Sequence, residues 1–234
     1  MEERKLPTHV GIIMDGNGRW ATEKGRPRTD GHREGANTLK ELALHMNDLG
    51  IKYASVYAFS TENFKRTKTE VDFLMNLFIE MFNNEFDQIL KNNIRIVFSG
   101  REKPLSDKVL KAMRGIEEES KDNTGLVLNV CLNYGSRSEI VDMTKKISEL
   151  YKDNKISLDD IDEELIRKNL YNDLPDVDFL IRTSGELRLS NFMLYQLSYA
   201  EFYFTRTYFP DFHSDEFDKA IDDFNDRNRR FGGN

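Results

Sequence analysis

Short apolar stretches recur along this chain, and longer segments with apolar positions every three or four residues lie between them. The short runs are Val10–Met14, Ala54–Phe59, Ile94–Phe98, Leu126–Leu132, Phe179–Arg182 and Phe202–Thr205. Their brevity and their β-branched and aromatic content mark them as buried strands. Helical periodicity covers Arg33–Leu49, Thr69–Asn92, Ser106–Lys121, Ser136–Tyr151, Asp159–Asn169 and Ser214–Arg229. Strands alternating with helices predict an α/β fold: a central, mostly parallel six-stranded sheet flanked by helices. No repeat, low-complexity tract or linker interrupts the pattern, so residues 1–234 read as one domain.

In such sheets ligands bind beyond the carboxyl ends of the strands. Polar residues with useful chemistry collect at the predicted strand ends. Asp15-Gly16-Asn17-Gly18-Arg19-Trp20 follows the first strand, and Ser60-Thr61-Glu62-Asn63-Phe64 the second. Arg182, Glu186, Arg188, Leu189 and Ser190 close the Phe179 strand, and Glu201 borders the last one. Two glycines let backbone N–H groups approach an anion closely, and Arg19 can grip a phosphate with two hydrogen bonds. Asp15 is a poor neighbour for an anion unless a Mg²⁺ ion bridges the two. A capped glycine turn remains the plain alternative for this segment, and a solvated basic turn the alternative for Arg26, Arg28, His32 and Arg33. Glu201 sits in an apolar setting and needs a counter-ion, which an arginine or a metal would supply. The Thr69–Asn92 segment is apolar around more than one stripe, which fits either a core helix or the wall of an apolar tunnel.

Composition narrows the partners. Apolar residues make up 38% and charged residues 32%, enough to build a core. The net charge of −7 argues against a nucleic-acid partner, so any anion site must be a local cluster of positive charge. Met1–Lys5 is charged and leads into no apolar core, unlike a signal peptide, and no stretch approaches the ~20 apolar residues that span a bilayer. The single cysteine, Cys131, lies in an apolar run, which suits a core position and a reducing cytoplasm. His9, His32, His45 and His213 lack zinc spacing, and phosphate-loop, nucleophile-elbow and dinucleotide fingerprints are absent.

These motifs together resemble the cis-prenyltransferases, the family of undecaprenyl diphosphate synthase. The resemblance runs from His9-Val-Gly-Ile-Ile-Met-Asp-Gly-Asn-Gly-Arg-Trp-Ala21 through Gly31-His-Arg-Glu-Gly35, Tyr57-Ala-Phe-Ser-Thr-Glu-Asn63 and Asp178-Phe-Leu-Ile-Arg-Thr-Ser-Gly-Glu186. It continues through Arg188-Leu-Ser-Asn-Phe192 and Tyr199-Ala-Glu-Phe-Tyr-Phe-Thr205 to Arg229-Arg-Phe-Gly-Gly233. It implies a homodimeric, Mg²⁺-dependent enzyme that adds isopentenyl diphosphate to an allylic diphosphate such as farnesyl diphosphate. Gly16, Asn17, Gly18, Arg19 and Trp20, with Arg28 and His32, would hold the allylic diphosphate. Arg182, Arg188, Leu189 and Ser190 would hold isopentenyl diphosphate. Asp15 and Glu201 would place the metal, and Asp15 and Asn63 would serve catalysis. Ser60, Thr61, Glu62 and Phe64 belong to the loop near proton removal. Arg66 and Glu70 would close over substrate, and Arg230 with Gly232 would reach the partner subunit's site.

The resemblance also favours the tunnel for Thr69–Asn92. Small Ala58 and bulky Leu126 point to a long, undecaprenyl-class product, which would bring peripheral contact with a membrane. Phe64, Thr67, Ser136, Leu187, Arg206 and Phe209 depart from the usual pattern. Leu187 and Arg206 bear on the chemistry most, and they leave open irregular prenyl coupling or cyclisation. A non-catalytic partner subunit is the remaining alternative, and the presence of Asp15 weighs against it.

Overall fold

The computed structural model describes residues 5–85 and 87–227. Its sheet is wholly parallel, with strands β1 (His9–Ile13), β2 (Tyr53–Ser60), β3 (Arg95–Ser99), β4 (Val127–Tyr134), β5 (Phe179–Arg182) and β6 (Glu201–Phe204). Their spatial order is β3-β4-β2-β1-β5-β6. The helices are α1 (Asn17–Glu23), α2 (Arg28–Leu49), α3 (Lys68–Glu80), α4 (Asp87–Lys91), α5 (Asp107–Ser120), α6 (Ser136–Lys152), α7 (Glu163–Lys168) and α8 (Ser214–Asn225). Apolar residues of α2, α3, α5 and α8 pack on one face of the sheet in the main core. The other face carries Ile13, Cys131, Tyr134, Leu180 and Phe192, and a satellite cluster joins α6 to α7. Cys131 is fully buried, and burial pushes its thiol pKa up, as suits a core residue. Among the described residues no helix is long and apolar enough to cross a membrane.

Two expectations about helices change. The segment read as one helix over Thr69–Asn92 is divided: Thr67 caps the start of α3 by accepting from the Glu70 N–H, and a π-helical turn at Met81–Glu85 separates α3 from α4. An inserted residue in the helical ladder leaves the apolar periodicity largely intact, so the pattern alone hides it. The helix expected from Arg33 begins at Arg28, directly after Pro27, which stands at its N-cap in an extended conformation. The predicted end of the last helix, Arg229, lies outside the described residues.

A buried polar chain runs across four strands. His9 Nε2 meets Ser55 Oγ at 2.8 Å, Asn129 donates to Ser55 Oγ at 2.9 Å, and Ser99 Oγ donates to Asn129 Oδ1 at 2.9 Å. Asn172 extends the chain by donating to Ser99 Oγ at 2.9 Å. Ser55 and Asn129 are register partners of β2 and β4. A slip of one residue would turn these groups to the opposite face and leave each buried polar atom unpaired, so the chain specifies register.

Burial pushes the His9 pKa down to about 4, despite its bond to the Pro175 carbonyl and the charge of Asp178. An unfolded histidine titrates near 6.5, so between about pH 6.5 and 4 the unfolded chain binds a proton that folded His9 refuses. Stability should therefore fall as pH drops through that window, by about 3 kcal/mol from His9 alone. Urea unfolding at pH 7.5, 5.5 and 4.5 measures it. His9→Gln should flatten the slope, and a variant slope equal to the native one would contradict the assignment.

Candidate active site

The carboxyl ends of β1, β2 and β5 converge where the strand order turns outward on both sides of β1. A cleft of about 280 Å³ lies there, lined by Asp15, Asn17, His32, Tyr57, Ser60, Asn63, Arg66, Arg182, Arg188 and Ser190. Arg182, whose side chain is only 3% exposed, ends β5 and organises the polar wall. Its Nη2 donates to Asp15 Oδ2 at 2.9 Å. Its Nη1 donates to Ser190 Oγ at 2.8 Å and to the Arg188 carbonyl. One guanidinium thus ties the loop after β1 to the loop after β5.

Asp15 is held on every side. Its backbone N–H donates to Thr183 Oγ1 at 2.9 Å, Thr183 Oγ1 donates back to the Asp15 carbonyl at 2.7 Å, and the Phe209 N–H donates to the same carbonyl at 3.1 Å. Its carboxylate accepts from the Gly16 N–H at 2.7 Å and from Arg19 at 3.3 Å. Burial pushes the Asp15 pKa up, but the Arg182 hydrogen bond and charge, the Arg19 charge and the Gly16 N–H together hold it below the usual carboxylate range. Asp15 is therefore an anion at neutral pH. One ionised carboxylate next to a cationic cleft fits Mg²⁺, which takes one or two protein oxygens and fills its other positions from water and substrate phosphate.

The two glycines make room for specific neighbours. Gly16 has φ 100°, and a Cβ there would stand 2.5 Å from the Tyr208 ring. A Cβ on Gly18 would stand 2.6 Å from the Arg28 guanidinium carbon, so Arg28 occupies the space that a side chain would fill. Glu70 at the start of α3 gathers the cations behind this turn, Arg66 at 3.1 Å and Arg28 at 3.6 Å, with the His32 ring at 3.5 Å. Burial, then the Arg66 charge, pushes His32 down to about 4 despite Glu70, leaving it neutral. Arg19 bridges Asp15 and Glu186, with its guanidinium 5.7 Å from the centre of the Tyr208 ring.

A second cavity opens from the first. It is apolar, about 60 Å³, and lined by Leu39, Ala58, Leu74, Leu77, Phe78, Met81, Phe82, Val130 and Phe209. Met14, Asn17, His32, Ala58 and Leu74 border both cavities. Ala58 reaches both because the β2–β4 pairing skips it: Tyr57 pairs with Cys131 and Phe59 with Leu132. Such a bulge re-aims a side chain beside a site.

Several expected residues stand elsewhere. Glu201 opens β6 in register with Phe179, at the amino end of the sheet, roughly 10 Å below the level of Arg182 at ~3.3 Å per residue. Arg227 pairs with it at 3.0 Å, which answers its need for a counter-ion. Within one chain Glu201 therefore does not join Asp15. Trp20 lines neither cavity: it is buried, donates to Asp211 at 2.7 Å and carries Lys24 over its ring at 3.9 Å. Leu189 packs under the cleft on the second core, and Phe64 lies edge-on to Phe59 at 4.9 Å. Thr61 and Glu62 stand beside the cleft, joined to each other, with Glu62 accepting from Asn191 at 3.0 Å. Leu126 is buried in the core and does not line the apolar cavity. Leu187 is 75% exposed beside Arg188. Arg230 and Gly232 lie outside the described residues.

Tyr57 and Asn191 escaped the residue-by-residue reading. Tyr57 donates to the Ser190 carbonyl at 3.2 Å, and Asn191 accepts the Arg137 N–H at 2.9 Å while its carbonyl accepts the Ser136 N–H at 2.8 Å. Both lie inside the recognised motifs, which was the available signal, but neither carries a charge to draw notice.

Comparison with known proteins identifies the family. Residues 13–232 match the model of the prenyltransferase family of undecaprenyl diphosphate synthases. An isoprenyl transferase of Fusobacterium nucleatum is 49% identical over 99% of this chain and 98% of its own length. One from Bacillus subtilis is 45% identical over 98% of this chain and 88% of its own length. The crystal structure of lavandulyl diphosphate synthase from Lavandula x intermedia, in complex with dimethylallyl diphosphate, superposes with a TM-score of 0.94 at 35% identity, covering 97% of this chain and 98% of that one. A probable undecaprenyl diphosphate synthase from Campylobacter jejuni superposes with a TM-score of 0.82 at 34% identity, covering 98% of this chain and 100% of that one. Matched by the family model from the end of β1 onward, and near half identical to isoprenyl transferases over almost its full length, the chain belongs to the cis-prenyltransferase family of undecaprenyl diphosphate synthase.

Proposed function

We propose that this chain condenses isopentenyl diphosphate with an allylic diphosphate, farnesyl diphosphate for preference, to a long-chain polyprenyl diphosphate of the undecaprenyl class. The observation that carries the reading is the polar cleft's opening into an apolar cavity through shared residues. A charged head and a hydrocarbon tail need that pairing of environments. The allylic diphosphate is assigned to Asn17, Arg19, Arg28 and His32, and isopentenyl diphosphate to Arg182, Arg188 and Ser190. A diphosphate oxygen would compete with Glu70 for Arg28, Arg66 and His32, so substrate arrival loosens the start of α3.

The allylic C–O bond breaks and its electron pair leaves with the diphosphate. The alkene of isopentenyl diphosphate attacks the allylic carbon, forming the new C–C bond. The adduct then loses a proton and its double bond re-forms. Arginines fixed before substrate arrives stabilise the leaving charge without reorganisation. Mg²⁺ held by Asp15 would add Lewis-acid neutralisation of that leaving diphosphate. Asn63 accepts from the Ser60 N–H at 3.0 Å, and an amide is no base. It therefore orients the loop while the released diphosphate takes the proton. The chain acts as a homodimer in this reading. The buried thiol of Cys131 suits a cytoplasmic setting, and membrane contact comes through the product.

A second reading rests on Leu187 and on the lavandulyl diphosphate synthase likeness. An apolar side chain beside Arg188 suits coupling of two allylic diphosphates. Labelled isopentenyl diphosphate with farnesyl diphosphate and Mg²⁺ should give products extended by many units, resolved by reversed-phase chromatography. Arrest after two or three units would refute the long-chain product, and turnover of dimethylallyl diphosphate supplied alone would establish irregular coupling. Asp15→Ala should lower kcat by about 10²-fold or more while far-ultraviolet dichroism stays native. Native turnover in that variant would remove Asp15 from the mechanism.

A further inference from the structure

Phe82 borders two separate spaces. Inward, it closes the apolar cavity together with Phe78 and Met81. Outward, it walls a groove of about 530 Å³ between α3 and α5, whose floor is Ile79, Ala112 and Ile116 and whose exposed, polar edge holds Asn83, Lys108, Lys111 and Glu119. Phe82 lies in the π-helical turn, and both it and Met81 are only 6% exposed. The Phe82 ring stacks near Phe78 at 6.2 Å and meets Phe98 edge-on at 5.1 Å. These are dispersion contacts without directional bonds, and a rotamer change exchanges them for others.

The inner cavity has only about 60 Å³. A hydrocarbon chain of many isoprene units outgrows it and must displace a wall. On the side of α5 the wall is one ring thick, and the space beyond has an apolar floor.

We propose that Phe82 is a gate and that the α3–α5 groove receives the terminal isoprene units of the elongating chain, so that this groove sets product length. The inference rests on the prenyl-elongation reading above. The structure offers a position that tests the groove without touching the tunnel. Gly115 lies on α5 in the groove lining, and a Cβ built there meets nothing within 4 Å. A side chain at that position fills the groove rather than the core, and replacing glycine within a helix favours the helix.

Gly115→Leu and Gly115→Ala would be compared with the native enzyme in two measurements: the length distribution of products from labelled isopentenyl and farnesyl diphosphates, and the single-turnover rate of the first addition. The leucine variant should shorten the mean product by at least two isoprene units and the alanine variant by less, with the first-addition rate within about twofold of native. Phe82→Ala should lengthen the product, and adding Gly115→Leu should cancel the gain. Native product length in Gly115→Leu would overturn the proposal. A photolabel read without turnover separates this inference from the one beneath it. A diphosphate bearing a benzophenone on a tail of several isoprene units should label α5 in the native protein, and the label should be lost in Gly115→Leu. Labelling confined to α2 and β2 would overturn the groove even where elongation proceeds. An enzyme that never elongates but still labels α5 would sink the proposed reaction and leave the groove standing.

Discussion

A guanidinium buried at the end of a strand must find charge and hydrogen-bond acceptors, or the fold would bear the cost of a lone ion in an apolar interior. Arg182 meets that constraint at its two terminal nitrogens, drawing Asp15 from the loop after β1 and Ser190 and the Arg188 carbonyl from the loop after β5, while its buried Nε has no partner among the described residues. Two of the three loops that face the cleft are therefore tied by one side chain. Asp15 is kept ionised by the same contact, and Ser190 is held at φ 51°, an unusual backbone for serine. Geometry, charge state and loop conformation all trace to this pair.

Next to that polar anchor the molecule must accommodate a long apolar substrate. It does so through departures from regular structure. The β-bulge turns Ala58 toward both cavities, and the π-helical turn carries Met81 and Phe82, which both border the apolar one. Gly18 in the first turn of α1 yields its volume to the Arg28 guanidinium. Each device is local, and each alters which side chains border the space between β2, α2 and α3.

The arrangement of strands was legible because each is an apolar run between polar segments, and every predicted strand appears with ends displaced by at most two residues. Helix α1 was not foreseen as an element: its seven residues are too few to show periodicity. The division of Thr69–Asn92 was invisible for the reason that an extra residue in a turn barely disturbs an apolar pattern. That Asp15, Arg182, Arg188 and Ser190 would meet at one cleft was legible, since charge directly after an apolar strand has few structural uses. Glu201 was misplaced because the same logic cannot tell the beginning of a four-residue strand from its end. Trp20 was read as facing a ligand on motif position alone, whereas its indole N–H is committed to Asp211.

Local sequence determined what depends on neighbours along the chain: strand and helix propensity, the cap that starts α3, the glycine turn after β1, and the concentration of charge at strand ends. Tertiary structure decided what depends on residues far apart in sequence. It paired Asp15 with Arg182 across 167 positions, gave Glu201 to Arg227, and set Phe82 between two cavities. Those outcomes follow from strand order and register, which are chosen by the whole core and by the buried polar chain from His9 to Asn172, not by any one segment.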